Sequence, residues 1–138
     1  MIRLQENYDG KVKVYPLFKD ELLVDEVQNI LDNIVKKDLF KGEKGSVYHT
    51  SSHHGIDVVH HIFVGLGDKS SDYMEGLRSG IGSACKKAKS LKESSLGIIL
   101  PSDLINDEVM ENIATSIILS QYAFDKYKSK KNGNLLKD

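Results

Sequence analysis

The stretch Ile56-Asp57-Val58-Val59-His60-His61-Ile62-Phe63-Val64, closed by Gly65-Leu66-Gly67-Asp68, decides the fold class. Val58, Val59, Ile62, Phe63 and Val64 are β-branched or aromatic and nearly continuous. Such a run predicts a central strand buried on both faces, and the glycines after it predict a turn. Beyond the turn, Met74, Leu77, Ile81, Ala84, Ala88 and Leu91 recur at alternating steps of three and four, which places them on one stripe of a helix over about 71–91. Asp72 can cap its start, and Glu75 stands at capping-box spacing from it. Ser95–Leu100 predicts a second buried strand, ended by Pro101. Asn106 or Asp107 can cap a last helix over about 107–128, with Val109, Ile113, Ile117 and then Tyr122 or Phe124 on its apolar stripe. Strand, helix, strand, helix in this order implies a parallel βαβ unit with a right-handed crossover.

Working outward, Lys11-Val12-Lys13-Val14-Tyr15 alternates polar and apolar, as a half-buried strand does. Asp9-Gly10 is a turn signal, which makes Ile2–Leu4 and Val12–Phe18 candidate hairpin partners. Leu23, Val27, Ile30, Leu31 and Ile34 predict a helix over about 25–37, with Lys36 and Lys37 in its last turn, where the helix dipole favours cations. Residues 38–45 read as a loop broken by Gly42 and Gly45, Ser46–Thr50 as a short strand, and Ser51–Gly55 as a turn. The sum is an α/β fold with a mixed sheet and helices on both faces. Gly76, Gly80 and Gly82 each cost the long helix about 1 kcal/mol relative to Ala. Close approach of that helix to the sheet is the expected compensation.

Composition narrows the function. The 138 residues are enough for one domain with a real core. With 19 Lys and Arg against 20 Asp and Glu, the formal net charge of -1 argues against nucleic-acid binding by bulk positive charge. No apolar run approaches a membrane span, and the N-terminus carries no signal-peptide core, so no membrane partner is expected. The single cysteine, Cys85, forbids an internal disulfide and suits a reducing, cytoplasmic setting.

Residue by residue, no catalytic constellation emerges. His49, His53, His54, His60 and His61 suggest a metal, but adjacent residues of a strand face opposite ways, so His60 and His61 cannot easily share an ion. Gly65-Leu66-Gly67 between strand and helix could cradle phosphate on backbone amides, yet the third glycine of the dinucleotide fingerprint is missing and Asp68 would repel an anion. Cys85 falls on the apolar side of a helix, as an inert buried thiol does. Lys126, Lys128, Lys130 and Lys131 read as a solvated connection. No residue is therefore assigned as catalytic, metal-binding or cofactor-binding.

Four segments resemble the N-terminal domain of the cytosol (leucyl) aminopeptidase family. Ile62-Phe63-Val64-Gly65-Leu66-Gly67-Asp68-Lys69 resembles the family's strand ending in a V-G-L-G-like turn, and Leu77-Arg78-Ser79-Gly80-Ile81-Gly82 its following L-R-x-x-x-G-like helix. Asp38-Leu39-Phe40-Lys41-Gly42-Glu43-Lys44-Gly45 is similar to its D-F-x-G-K-x-G loop. Tyr122-Ala123-Phe124-Asp125-Lys126-Tyr127-Lys128-Ser129-Lys130-Lys131 is similar to its closing Y-x-F-D-x-Y-K-[ST]-K-K. The resemblance implies a macro-domain-like α/β domain over residues 1–131, with 132–138 beginning an interdomain connection. It implies a parent metallopeptidase, a hydrolase that removes N-terminal amino acids with two divalent metals, zinc or manganese. Those metals would sit in a C-terminal domain absent from this chain, whose N-T-D-A-E-G-R motif does not occur in it. The fragment alone is then expected to be non-catalytic, with its own C-terminal domain and a homo-hexamer as partners. Some macro domains bind ADP-ribose, so a free-standing module for a nucleotide or ADP-ribose is the alternative, with Gly65–Gly67 as its point of contact.

Overall fold

A computed structural model describes residues 11–22, 24, 27–69, 72–93, 96–101 and 104–120, with residue 54 and residues 127–130 and 134–137 described by backbone alone. The elements in chain order are β1 (Val12–Phe18), α1 (Gln28–Lys36), β2 (Val47–His54), β3 (Asp57–Gly67), α2 (Met74–Ser90), β4 (Gly97–Ile99), α3 (Asp107–Leu119), β5 (Tyr127–Lys130) and β6 (Asn134–Lys137). The six strands form one mixed sheet in the order β2-β3-β1-β4-β6-β5. β1 runs parallel to both β3 and β4, so the β3–α2–β4 crossover spans an inserted strand. β2 and β3 form an antiparallel hairpin, and β5, β6 and β4 continue antiparallel on the other side.

Alternation along β1 and β3 sorts the core into two layers. Val12, Val14, Ile62, Val64 and Leu66 face α2 and α3, where they meet Leu77, Ile81, Ala84, Ala88, Val109, Ile113 and Ile117. Tyr15, Leu17 and Phe63 face the other way, onto Leu31 and Ile34 of α1 and onto Phe40. Helices thus cover both faces, as the continuous apolar run of β3 requires.

Several boundaries differ from the sequence reading. The stretch 51–55 is not all turn: β2 runs on to His54, because each of its residues pairs with β3. The proposed partner strand Ile2–Leu4 lies outside the described residues, as do Leu23, Asp25 and Glu26 at the start of the first predicted helix. The last helix stops at Leu119 and does not reach 128. Ile118 and Leu119 are 73% and 72% exposed, so its buried stripe ends at Ile117. The Ser120 hydroxyl donates to the Ile117 carbonyl at 2.6 Å, taking up an acceptor left at the helix end. Tyr127–Lys130 is instead a strand, paired with Asn134–Lys137 within the span read as a connection. Between them the sequence carries Asn132-Gly133, a hairpin dipeptide that the charge of the segment obscures.

Capping follows the local sequence. The Asn106 side chain accepts from the Val109 amide at 2.9 Å. Asp72 accepts from the Met74 amide at 3.1 Å, but Glu75 does not close a capping box and lies 3.8 Å from Lys44 Nζ. Both α1 and α2 end in Schellman motifs whose left-handed residue is not glycine. Asp38 (φ 63) and Lys92 (φ 59) occupy that position, with Leu39 N–H on Ile34 O and Glu93 N–H on Ala88 O.

Candidate functional site

The Gly65–Gly67 turn is the first candidate, and the chain itself fills it. Gly65 N–H donates to Ser46 O at 2.8 Å, and Gly67 N–H donates to Gly42 O at 2.9 Å. Gly67 O in turn accepts from the Lys19 amide at 3.0 Å. A Cβ at Gly65 would overlap the Glu43 carbonyl and the Ser46 hydroxyl. The glycines therefore let the 42–46 loop lie directly on the end of β3. The two amides a phosphate would need are already donated, so the geometry gives no support to the nucleotide or ADP-ribose reading.

Three of the five histidines are placed by their contacts, His61 on one face of the β2–β3 hairpin and His49 and His60 on the other. His61 is 4% exposed and sits on the α1 face. Its Nδ1 lies 3.0 Å from the Tyr15 hydroxyl and its Nε2 2.9 Å from Ser52 Oγ. A hydroxyl can donate or accept, so either neutral tautomer of His61 is satisfied there. The Tyr15 ring also stacks on both His61 and Phe63. This is a packed polar core.

On the opposite face, His49 and His60 come together although eleven residues separate them. The register sets Ser51 against His60 and His49 against Ile62, which places His49, Ser51 and His60 on one side. His49 Nε2 lies 3.1 Å from His60 Nδ1, and Ser51 Oγ lies 3.0 Å from the same His60 nitrogen. Burial holds the His49 pKa below its usual value, and the nearby Lys87 charge and the neighbouring His60 imidazole push it the same way. His61, the sequence neighbour of His60, points to the other face, whereas His49 stands beside it. Only the strand register carries that pair.

The remaining candidates are quickly placed. Cys85 is fully buried in the layer between α2 and the sheet. Of the basic segment, 127–130 lies in β5, and Lys126 and Lys131 fall outside the described residues. Among the described residues, no three His, Cys, Asp or Glu side chains gather where they could hold a metal ion. Also among them, no helix is long and apolar enough to cross a membrane.

The profile of the cytosol aminopeptidase family, N-terminal domain, matches residues 11–131. The chain belongs to the cytosol aminopeptidase family. A probable cytosol aminopeptidase of Clostridium tetani is 30% identical over 125 residues, covering 89% of this chain and 25% of that protein. One of Sulfurihydrogenibium is 31% identical over 112 residues, covering 78% of this chain and 22% of that protein. The fold is that of part of a solved tomato leucine aminopeptidase mutant, with a TM-score of 0.67 at 18% identity, over 96% of this chain and 31% of the other. This member of the family thus spans about a quarter of the length of the curated relatives it matches. The resemblance carried by Asp38–Gly45, Ile62–Lys69, Leu77–Gly82 and Tyr122–Lys131 thus names the right family.

Proposed function

We propose that this chain is the non-catalytic N-terminal domain of a metal-dependent aminopeptidase, and that it serves the assembly of the parent enzyme. The observation that carries this reading is the match of residues 11–131 to the family's N-terminal domain in a chain about a quarter as long as its relatives. In this reading the accessory domain is residues 1–131 extended by β6, which lies between β4 and β5 in its sheet, and the connection toward a catalytic portion leaves from there. Peptide hydrolysis on two divalent metals, zinc or manganese, belongs to that portion. The described residues of this chain do not suit a two-metal centre, which needs several carboxylates converging on one place. Here the carboxylates are dispersed and face lysines: Glu21 with Lys69 at 3.0 Å, Asp38 with Lys41 at 3.1 Å, and Asp68 with Lys19 at 3.6 Å. The parent is proposed to act in the cytoplasm, in keeping with the relatives' designation as cytosol aminopeptidases, and to assemble as the homo-hexamer that the family resemblance implies.

The test has two arms. Incubated alone with leucine p-nitroanilide and Mn²⁺ or Zn²⁺, the chain is expected to give no turnover, and turnover that survives repurification would overturn the reading. Grafted in place of the matching quarter of the Clostridium tetani relative, it is expected to support an active assembly of the same size as the native one. A graft that is folded but monomeric would argue against a role in assembly.

A further inference from the structure

We propose that His49 and His60, with Ser51 beside them, form a binding site for one divalent transition-metal ion on the α2-facing side of the β2–β3 hairpin. Imidazole nitrogens bind such ions at about 2.0–2.1 Å, so two nitrogens 3.1 Å apart subtend an angle of about 100° at a shared ion. That angle lies between the square-planar and tetrahedral values, within reach of copper, nickel and zinc. The separation that serves a hydrogen bond between the rings therefore also serves chelation, once each ring turns to aim its lone pair at the common ion.

The surroundings suit such an ion. Both rings are half-buried, so they are held in place yet reachable from solvent. They sit on paired strands, and the hairpin register fixes their separation. Ser51 Oγ, 3.0 Å from His60 Nδ1, offers a third and weaker donor, and water completes the shell. Lys87 on α2 is the opposing charge. It opposes any cation at this place, so binding there rests on the bonds to the two imidazole nitrogens.

The proton balance is simple. In the neutral pair one proton lies between His49 Nε2 and His60 Nδ1. On binding, that proton moves to the other nitrogen of its own ring through solvent, and both facing lone pairs are given to the ion. No net proton is released. This inference does not depend on the peptidase reading, since it concerns the hairpin alone.

The experiment uses the full chain without an affinity tag, stripped with a chelator and dialysed. Calorimetric titration with ZnCl₂ or NiCl₂ at pH 7.5 is expected to show one ion per chain. His49→Gln and His60→Gln, each checked for unchanged circular dichroism, should weaken binding by about tenfold or more, and His53→Gln should leave it within about twofold. With Cu²⁺, electron paramagnetic resonance of the unsubstituted protein should show two coordinated nitrogens, falling to one in His49→Gln. Absence of binding by both Zn²⁺ and Ni²⁺ would overturn the proposal. So would affinity that survives both substitutions, affinity that depends on His53, or a copper spectrum of the intact protein with fewer than two nitrogens. The spectrum of the intact protein keeps the test decisive even if a variant fails to fold.

Discussion

Gly80 of α2 meets Val64 of β3 so closely that a Cβ on the glycine would overlap the valine Cγ1 methyl. The contact explains one of the three glycines in a helix that Ala would otherwise favour. Gly76 is a milder case, where a Cβ would stand 3.1 Å from the flexible Lys44 side chain. Gly82 faces open space, so close packing does not account for it, contrary to the sequence-based expectation.

Gly80→Ala should therefore destabilise the fold by about 1–3 kcal/mol, overpacking outweighing the gain in helix propensity. Val64→Ala alone should also destabilise, by leaving a void. The double variant should be more stable than the sum of the two losses predicts, since each change relieves the other. Urea unfolding of the four proteins measures this coupling. Additive losses would show that the helix simply slides away from the strand.

Lys92→Gly should stabilise the protein by about 0.5–1 kcal/mol. Lys92 holds the left-handed position of the Schellman motif at φ 59, where a Cβ is penalised and glycine is not. The greater freedom of glycine in the unfolded chain offsets part of the gain. A raised urea midpoint with unchanged slope is the expected readout.

Tyr15→Phe should cost about 1–3 kcal/mol, because it removes the hydroxyl from a buried imidazole and leaves His61 Nδ1 without that bond. The ring stacking on Phe63 survives the change, so the loss reports the hydrogen bond. Chemical denaturation measures it. A neutral outcome would mean that water or another group replaces the hydroxyl.

Stability in the presence of a chelator should fall as the pH drops through 6.5. Burial, Lys87 and His60 lower the His49 pKa in the folded state, so between that depressed value and the ordinary value near 6.5 the unfolded chain binds more protons than the folded one. The contribution is fully present above 6.5 and is lost progressively down to the folded-state pKa. His49→Gln should flatten this part of the profile. Urea midpoints of both proteins at pH 7.5 and 5.5, compared as a difference, check it.

The order of elements from β3 to α3 was legible in the sequence because it rests on local periodicity: two residues for a strand, 3.6 for a helix. So were a cap at Asn106 or Asp107, of which the fold uses Asn106, and the family, whose marks are short contiguous runs such as Ile62–Lys69 and Tyr122–Lys131. Charge misled the reading of 127–130, since a lysine-rich segment looks solvated whether or not its backbone is paired. What tertiary structure alone decided was non-local. It inserted β1 between β3 and β4, laid the 42–46 loop on Gly65, and set His49 beside His60. Each of these depends on which strand lies next to which and in what register. That choice is made by the summed burial of both sheet faces, a quantity that no single stretch of sequence contains.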